Sequence, residues 1–166
     1  MLFRSAAAAE IANGSYEAVI APGVADEAAA RALGARADLR VLIYAAAHPS
    51  TLDIIGLGPA VLLQTPDHGA IERSELRVVT DRRPTLEELT DLLFAWRTVR
   101  HVRSNAIVVA RGAATLGIGA AQVNRRVAVE IALQRAGDRA RGAVLASDAY
   151  FPFAEGISAA AVAGIT

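Results

Sequence analysis

The sequence has no cysteine and no lysine; all of its 17 basic residues are arginine. Without thiols there is no disulfide framework, no thiolate nucleophile and no cysteine-ligated zinc site, and a reducing compartment, the cytoplasm, is the expected location. The missing lysine, beside abundant alanine, reads as a coding bias, and it removes one type of catalytic group. Net charge is also absent: 17 acidic residues cancel the arginines. That excludes the broad positive footprint that attracts nucleic acid or anionic membrane, so any anion must be held by a local site. Although 54% of residues are apolar, most are dispersed alanines, and no run approaches the ~20 residues that cross a bilayer. Met1–Ser5 is too short for a secretory signal. A soluble chain without nucleic-acid or membrane partners is expected.

Short β-branched runs alternate with alanine-rich helical stretches, the pattern of helices covering a largely buried sheet, so the fold class is α/β. The pattern predicts helices over Ala6–Asn13 and over Glu27–Leu33, the latter capped by Asp26 and followed by Gly34. Strands are expected at Ala18–Ala21 and Leu39–Tyr44, two more within Asp53–Gln64 around Gly56–Pro59, and one at Leu76–Val79. Thr85 and Glu88 form a capping box for a helix over Leu86–Val102, in which Leu86, Leu89, Leu93 and Trp96 recur at helical spacing, with Trp96 expected in the core. A hairpin follows, Ala106–Ala110 and Thr115–Ile118 about a turn at Arg111–Gly112. Asn124–Ala136 reads as a largely buried helix stopped by Gly137, Ala143–Ala146 as a last strand and Ile157–Ala163 as a last helix. No repeat, linker or domain boundary is visible.

Polar information concentrates in three loops: Arg103–Asn105, Gly117–Arg126 and Ser147–Glu155. Gly117–Gln122 precedes a helix, so backbone N–H groups, with Arg125 and Arg126, could face an anion; a tight strand-to-helix turn with two solvated arginines is the alternative. A dinucleotide fingerprint is rejected, because Gln122 stands where its third small residue belongs. In the third loop Tyr150, Phe151 and Phe153 follow Asp148, a cluster that stands out in a chain with 5% aromatics. It suits either stacking on a flat heterocycle or core filling beneath the loop. His48, His68 and His101 have no spacing for zinc or a triad and read as exposed or hydrogen-bonded. Asp148 and Glu155 are assigned no acid or base role.

Taken together, Arg103–Val108, Gly117–Arg125 and Ala146–Phe153 resemble the aminoimidazole carboxamide ribonucleotide (AICAR) transformylase half of a bifunctional purine-biosynthetic family. Glu17–Pro22 and Glu75–Thr80 resemble two further family segments, so only Met1–Ser5 stands apart as a foreign leader. The resemblance implies a cytidine-deaminase-like α/β transformylase domain, here its central part over residues 6–166 and truncated at both ends. It implies formyl transfer from 10-formyltetrahydrofolate to the 5-amino group of AICAR, in a homodimer that also carries IMP cyclohydrolase. The amine is a weak nucleophile, so the chemistry needs a positioned base and stabilisation of an oxyanion. In the family a Lys-His pair near an Asn-Pro-Cys-Gly segment serves these tasks. This chain contains neither, so no catalytic residue is assigned and the isolated chain is expected to be inactive.

What the resemblance does carry over is binding. Glu17, Asn105, Arg125 and Tyr150 match nucleotide contacts; an amide such as Asn105 suits a carboxamide because it both donates and accepts. Arg126 and Glu155 match the folate side, Glu155 being one methylene longer than the commoner Asp. Ser104 and Asp148 match a site where some relatives hold potassium, and hard oxygen ligands suit that role, while hydrogen-bonding the turn is an equal alternative. No zinc motif is present. A non-catalytic nucleotide-binding or scaffold module that kept these loops is the rival reading, and exposed apolar strand edges with weak solubility are expected.

Overall fold

The computed structural model describes residues 2–44, 52–67, 69 and 71–166. They divide into two compact units at Asp67/His68, a division that no linker-like tract marks in the sequence.

The first unit begins with helix α1, Ser5–Asn13, strand β1, Ala18–Ala21, helix α2, Glu27–Gly34, and strand β2, Arg40–Ile43. Asp26 starts α2 by accepting the Ala29 N–H at 2.8 Å, which satisfies one of the orphan donors of the first turn. β1 and β2 pair in parallel, with α2 as their crossover. Ala8, Ala29, Leu33 and Leu39 form a small core, with Phe3 packed on it. Phe3 also bridges to Val24, so part of the stretch set apart as a leader takes part in this unit. Arg36 closes α1: its guanidinium donates to the carbonyls of Gly14 at 2.7 Å and Tyr16 at 3.1 Å. Strands β3, Asp53–Leu57, and β4, Ala60–Gln64, form an antiparallel hairpin, with Gly58 supplying the positive φ that its tight turn needs. Ile54, Leu57 and Val61 are all more than half exposed, which matches the expectation of apolar strands without cover.

The second unit is a three-layer sandwich. Its sheet contains β5, Ile107–Arg111, between β6, Ala114–Gly119, and β7, Val144–Ser147, all antiparallel neighbours. Helix α3, Leu86–Val99, packs on one face; helix α4, Arg125–Ala136, packs on the other with helix α5, Glu155–Val162, beside it. The alternation of a strand sorts the core: Ile107 and Val109 face α4, while Ala106, Val108 and Ala110 face α3. The expected capping box is present, Thr85 accepting the Glu88 N–H and Glu88 accepting the Thr85 N–H.

Three expectations need correction. Leu76–Val79 is not a strand: it has no ladder partner among the described residues. Trp96 is 40% exposed rather than core. The stripe that α3 buries is Asp91, Ala95 and Val99, so the large residues lie at its flank and the small Ala95 makes the close contact. The β5–β6 turn is Gly112–Ala113, one residue later than expected. Both have positive φ, and the buried Asp91 carboxylate accepts their N–H groups at 2.9 and 2.7 Å, a tertiary anchor that fixes the register. His48 and His68 lie outside the described residues; His101 is exposed in the turn after α3.

Candidate functional site

β6 and β7 run antiparallel to β5, so the C-terminal ends of both outer strands lie beside the start of β5. This places the three polar loops at one end of the strands. Ala121 N–H donates to the Arg103 carbonyl at 2.7 Å, and Asp148 N–H donates to the Ala106 carbonyl at 3.2 Å, tying the loops together. The Ser104–Asn105 peptide bond within them is cis.

Arg125 is the hub. It opens α4 directly after Asn124, whose side chain caps the helix by accepting the Val127 N–H at 2.9 Å. From there its guanidinium turns back over the strand ends and is only 9% exposed. Nη1 donates to Ser147 Oγ at 2.7 Å and to Asp148 Oδ1 at 2.5 Å; Nη2 donates to Asn105 Oδ1 at 3.0 Å. Its carbon lies 5.9 Å from the centroid of the Phe151 ring, within reach of a cation–π contact. Nε is buried and has no partner among the described residues. Asn105 in turn donates from Nδ2 to the Gln122 carbonyl at 2.8 Å. An amide can make about four hydrogen bonds, so Asn105 keeps one N–H and one lone pair for a ligand.

Asp148 holds this arrangement electrostatically. Burial alone would raise its pKa, but hydrogen bonds from the Ser104 hydroxyl, Arg125 and the Ala106 N–H, with the arginine's charge, outweigh it and lower the value to about 2. A carboxyl depressed in the folded state contributes stability above its unfolded pKa, and loses that contribution as pH falls through the folded value. Between pH 4 and pH 2 the chain should therefore lose about 2 kcal/mol through this group. Urea unfolding at stepped pH checks this: Asp148→Asn should flatten the acid limb, and an unchanged limb would show that the pair is not the cause.

The potassium reading of Ser104 and Asp148 fits this geometry poorly. The carboxylate's lone pairs accept N–H and O–H donors, and a guanidinium stands at 2.5 Å from one oxygen, where a second cation would be repelled. The arrangement favours the hydrogen-bonded turn.

Of the other expected residues, Tyr150 is 80% exposed at the site's rim. Phe151 is half-buried and packs on the core, as core filling beneath the loop requires, while Tyr150 and Phe153 are exposed. Arg126 points outward, donating from Nε to Glu130 at 2.8 Å. With Glu155, Arg125 and Phe153 it lines a cavity of about 260 Å³. Glu17 belongs to the first unit, exposed and immediately before β1. The glycine loop is not a phosphate cradle: Gly117 and Gly119 are buried, and a Cβ on either would stand 2.0 Å from a carbonyl oxygen of α4. Sequence reasoning missed Ser147 and Phe151 as partners of Arg125, and Gln122 as a partner of Asn105. All three lay within the flagged loops, but a backbone carbonyl such as that of Gln122 leaves no signal in its side-chain type.

The family described as AICARFT/IMPCHase bienzyme matches residues 3–135. Among curated proteins, the bifunctional purine biosynthesis protein PurH of Trichodesmium erythraeum is 46% identical over 153 residues, covering 90% of this chain and 29% of that protein. PurH of Nostoc sp. is 44% identical over 164 residues, covering 98% and 32%. PurH of Synechococcus sp. is 47% identical over 167 residues, covering 96% and 31%. The chain thus spans about a third of the length of these relatives.

Proposed function

The chain belongs to the AICARFT/IMPCHase bienzyme family, and from that premise we propose that it is the central part of a transformylase domain that binds AICAR beside a folate formyl donor. The observation that carries the proposal is the partly buried Asn105–Arg125–Asp148 network at the strand ends, which holds polar groups with unused capacity two residues before an exposed aromatic ring, Tyr150. Asn105 offers one donor and one acceptor, the complement of a carboxamide. Tyr150 supplies a face on which a flat imidazole can stack. Glu17 is kept as an acidic nucleotide contact on the family resemblance alone. Arg126 and Glu155, in the cavity beyond Phe151, suit the folate.

The formyl carbon comes from 10-formyltetrahydrofolate, and in this reading the chain's own residues bind and orient. Arg125, fixed by Asp148, cannot swing away from the nucleotide, so orientation is set before binding. The proton of the attacking amine is moved by a Lys-His pair elsewhere in a longer, homodimeric protein with a cytidine-deaminase-like transformylase fold. Formyl transfer by the full-length protein, with none by the 166 residues alone, is the expected result. Asn105→Ala in the full-length protein should weaken AICAR binding by about 2 kcal/mol, roughly thirtyfold. Unchanged affinity would remove Asn105 from the site, and family-like turnover by the isolated chain would place the catalytic groups inside it. A full-length protein that binds AICAR without turnover would favour the scaffold reading.

A further inference from the structure

β7 is an edge strand, and the chain returns to that edge. Because Asp148 N–H bonds across to Ala106, the two-residue alternation of an antiparallel ladder turns the N–H and C=O groups of Leu145 and Ser147, and the Ala143 carbonyl, away from β5, toward the free side. Downstream, α5 ends in a Schellman motif: Ile165 N–H donates to the Ala160 carbonyl, Gly164 N–H to that of Ala161, and Gly164 has φ of 80°. The reversal brings the last residues alongside the start of β7. Gly142 N–H donates to the Gly164 carbonyl at 2.7 Å, and Thr166 N–H to that of Ala143 at 3.0 Å. Both segments advance in the same direction, the sense of a parallel pair with α5 as its crossover.

Beyond Thr166 along the same edge lies a groove of about 520 Å³. Its floor and walls are apolar: Leu145 of β7, Leu92, Leu93 and Trp96 of α3, and the unladdered run at Val78 and Val79. Trp96 and Val79 are 40% and 81% exposed. Three anomalies, a sheet edge with unpaired groups, a large flank residue on a helix without cover, and a β-branched run without a ladder, meet at this groove.

We propose that this groove is not a small-molecule pocket but the seat of a fourth strand, added parallel to β7. Its occupant is the segment that follows Thr166 in the full-length protein. The proposal rests on the family assignment both for a longer protein that supplies this segment and for the choice of probe. Bonds at Gly142 and Ala143 set the first register, Leu145 and Ser147 offer the next edge groups, and alternate side chains of the incoming strand would cover Trp96.

The chain has a single tryptophan, so its emission reports on the groove alone. The probe is a synthetic peptide carrying the twelve or so residues that follow the matched region in the Nostoc relative, a typical strand with its turns. Added to the 166-residue chain, it should shift Trp96 emission to the blue and slow amide exchange at Leu145 and Ser147 at least tenfold. Leu145→Pro removes an edge donor together with a groove side chain, and should abolish both the Trp96 shift and the added protection of Ser147. In the full-length protein the same two amides should already be protected like those of β5. No shift with the peptide, an equal shift with its scrambled sequence, a shift that follows protein concentration without peptide, or solvent-rate exchange in the full-length protein would each overturn the proposal.

Discussion

Replacing Gly119 with alanine should destabilise the second unit by about 3–5 kcal/mol, enough to lower its melting temperature by more than about 10 °C. The added methyl would stand 2.0 Å from the Ala128 carbonyl oxygen and 2.7 Å from its carbon, both backbone atoms of α4 that no rotamer change can move. Strand and helix are this close because the contact pairs two glycines of β6 with alanines of α4, Gly119 with Ala128 and Gly117 with Ala132. To accept the methyl, α4 would have to lift from the sheet, dragging Arg125 at its first turn away from Ser147 and Asp148. The substitution thus couples packing to the site. Gly34→Ala is the matched control: nothing lies within 4 Å of its Cβ, it ends α2, and the change should be neutral or stabilising by about 0.5 kcal/mol. Calorimetry on both variants decides the matter. Similar melting temperatures for the two would mean that β6 and α4 are not in close contact.

The same two glycines mark the boundary of what the sequence makes legible. Their spacing before a helix suggested a backbone cradle for an anion, whereas their use is to let two elements approach, and both uses write the same residues. Secondary structure was readable wherever local chemistry decides it, as in the Thr85–Glu88 box, Asp26 before α2 and the β-branched run of β5. It failed where distant partners decide. The turn register depends on Asp91, 21 and 22 residues away, and the exposure of Trp96 and the unladdered Leu76–Val79 depend on what lies beyond β7. For the site, the three loops were visible as clusters of polar and aromatic types, and their convergence at one end of the strands follows from strand order, which no local pattern records. Asn105 and Arg125 were named as separate contacts, but the structure makes them partners, so neither can be altered without changing the other.

That coupling leads to the largest effect expected at the site. Arg125→Ala should cost about 3–5 kcal/mol of stability, because it leaves the Asp148 carboxylate, 14% exposed, without its counter-charge. The lost attraction is only part of this cost; the rest is the uncompensated charge that stays behind. Removing that charge as well should therefore help: Arg125→Ala combined with Asp148→Asn should be more stable than Arg125→Ala alone by about 1–2 kcal/mol, although Asp148→Asn by itself destabilises. Arg125→Lys should lie between, since an ammonium can meet Asp148 but cannot also reach Ser147 and Asn105 with a planar fork. Nucleotide binding by the full-length protein should follow a different order. Every variant that replaces Arg125 loses the fork that fixes Asn105, so the double variant regains stability without regaining affinity. A four-way comparison of unfolding free energy with AICAR titration separates the two quantities. Simple additivity of the two stability changes would show that Arg125 and Asp148 do not act as a pair, and affinity that recovered together with stability would reduce Arg125 to a structural anchor.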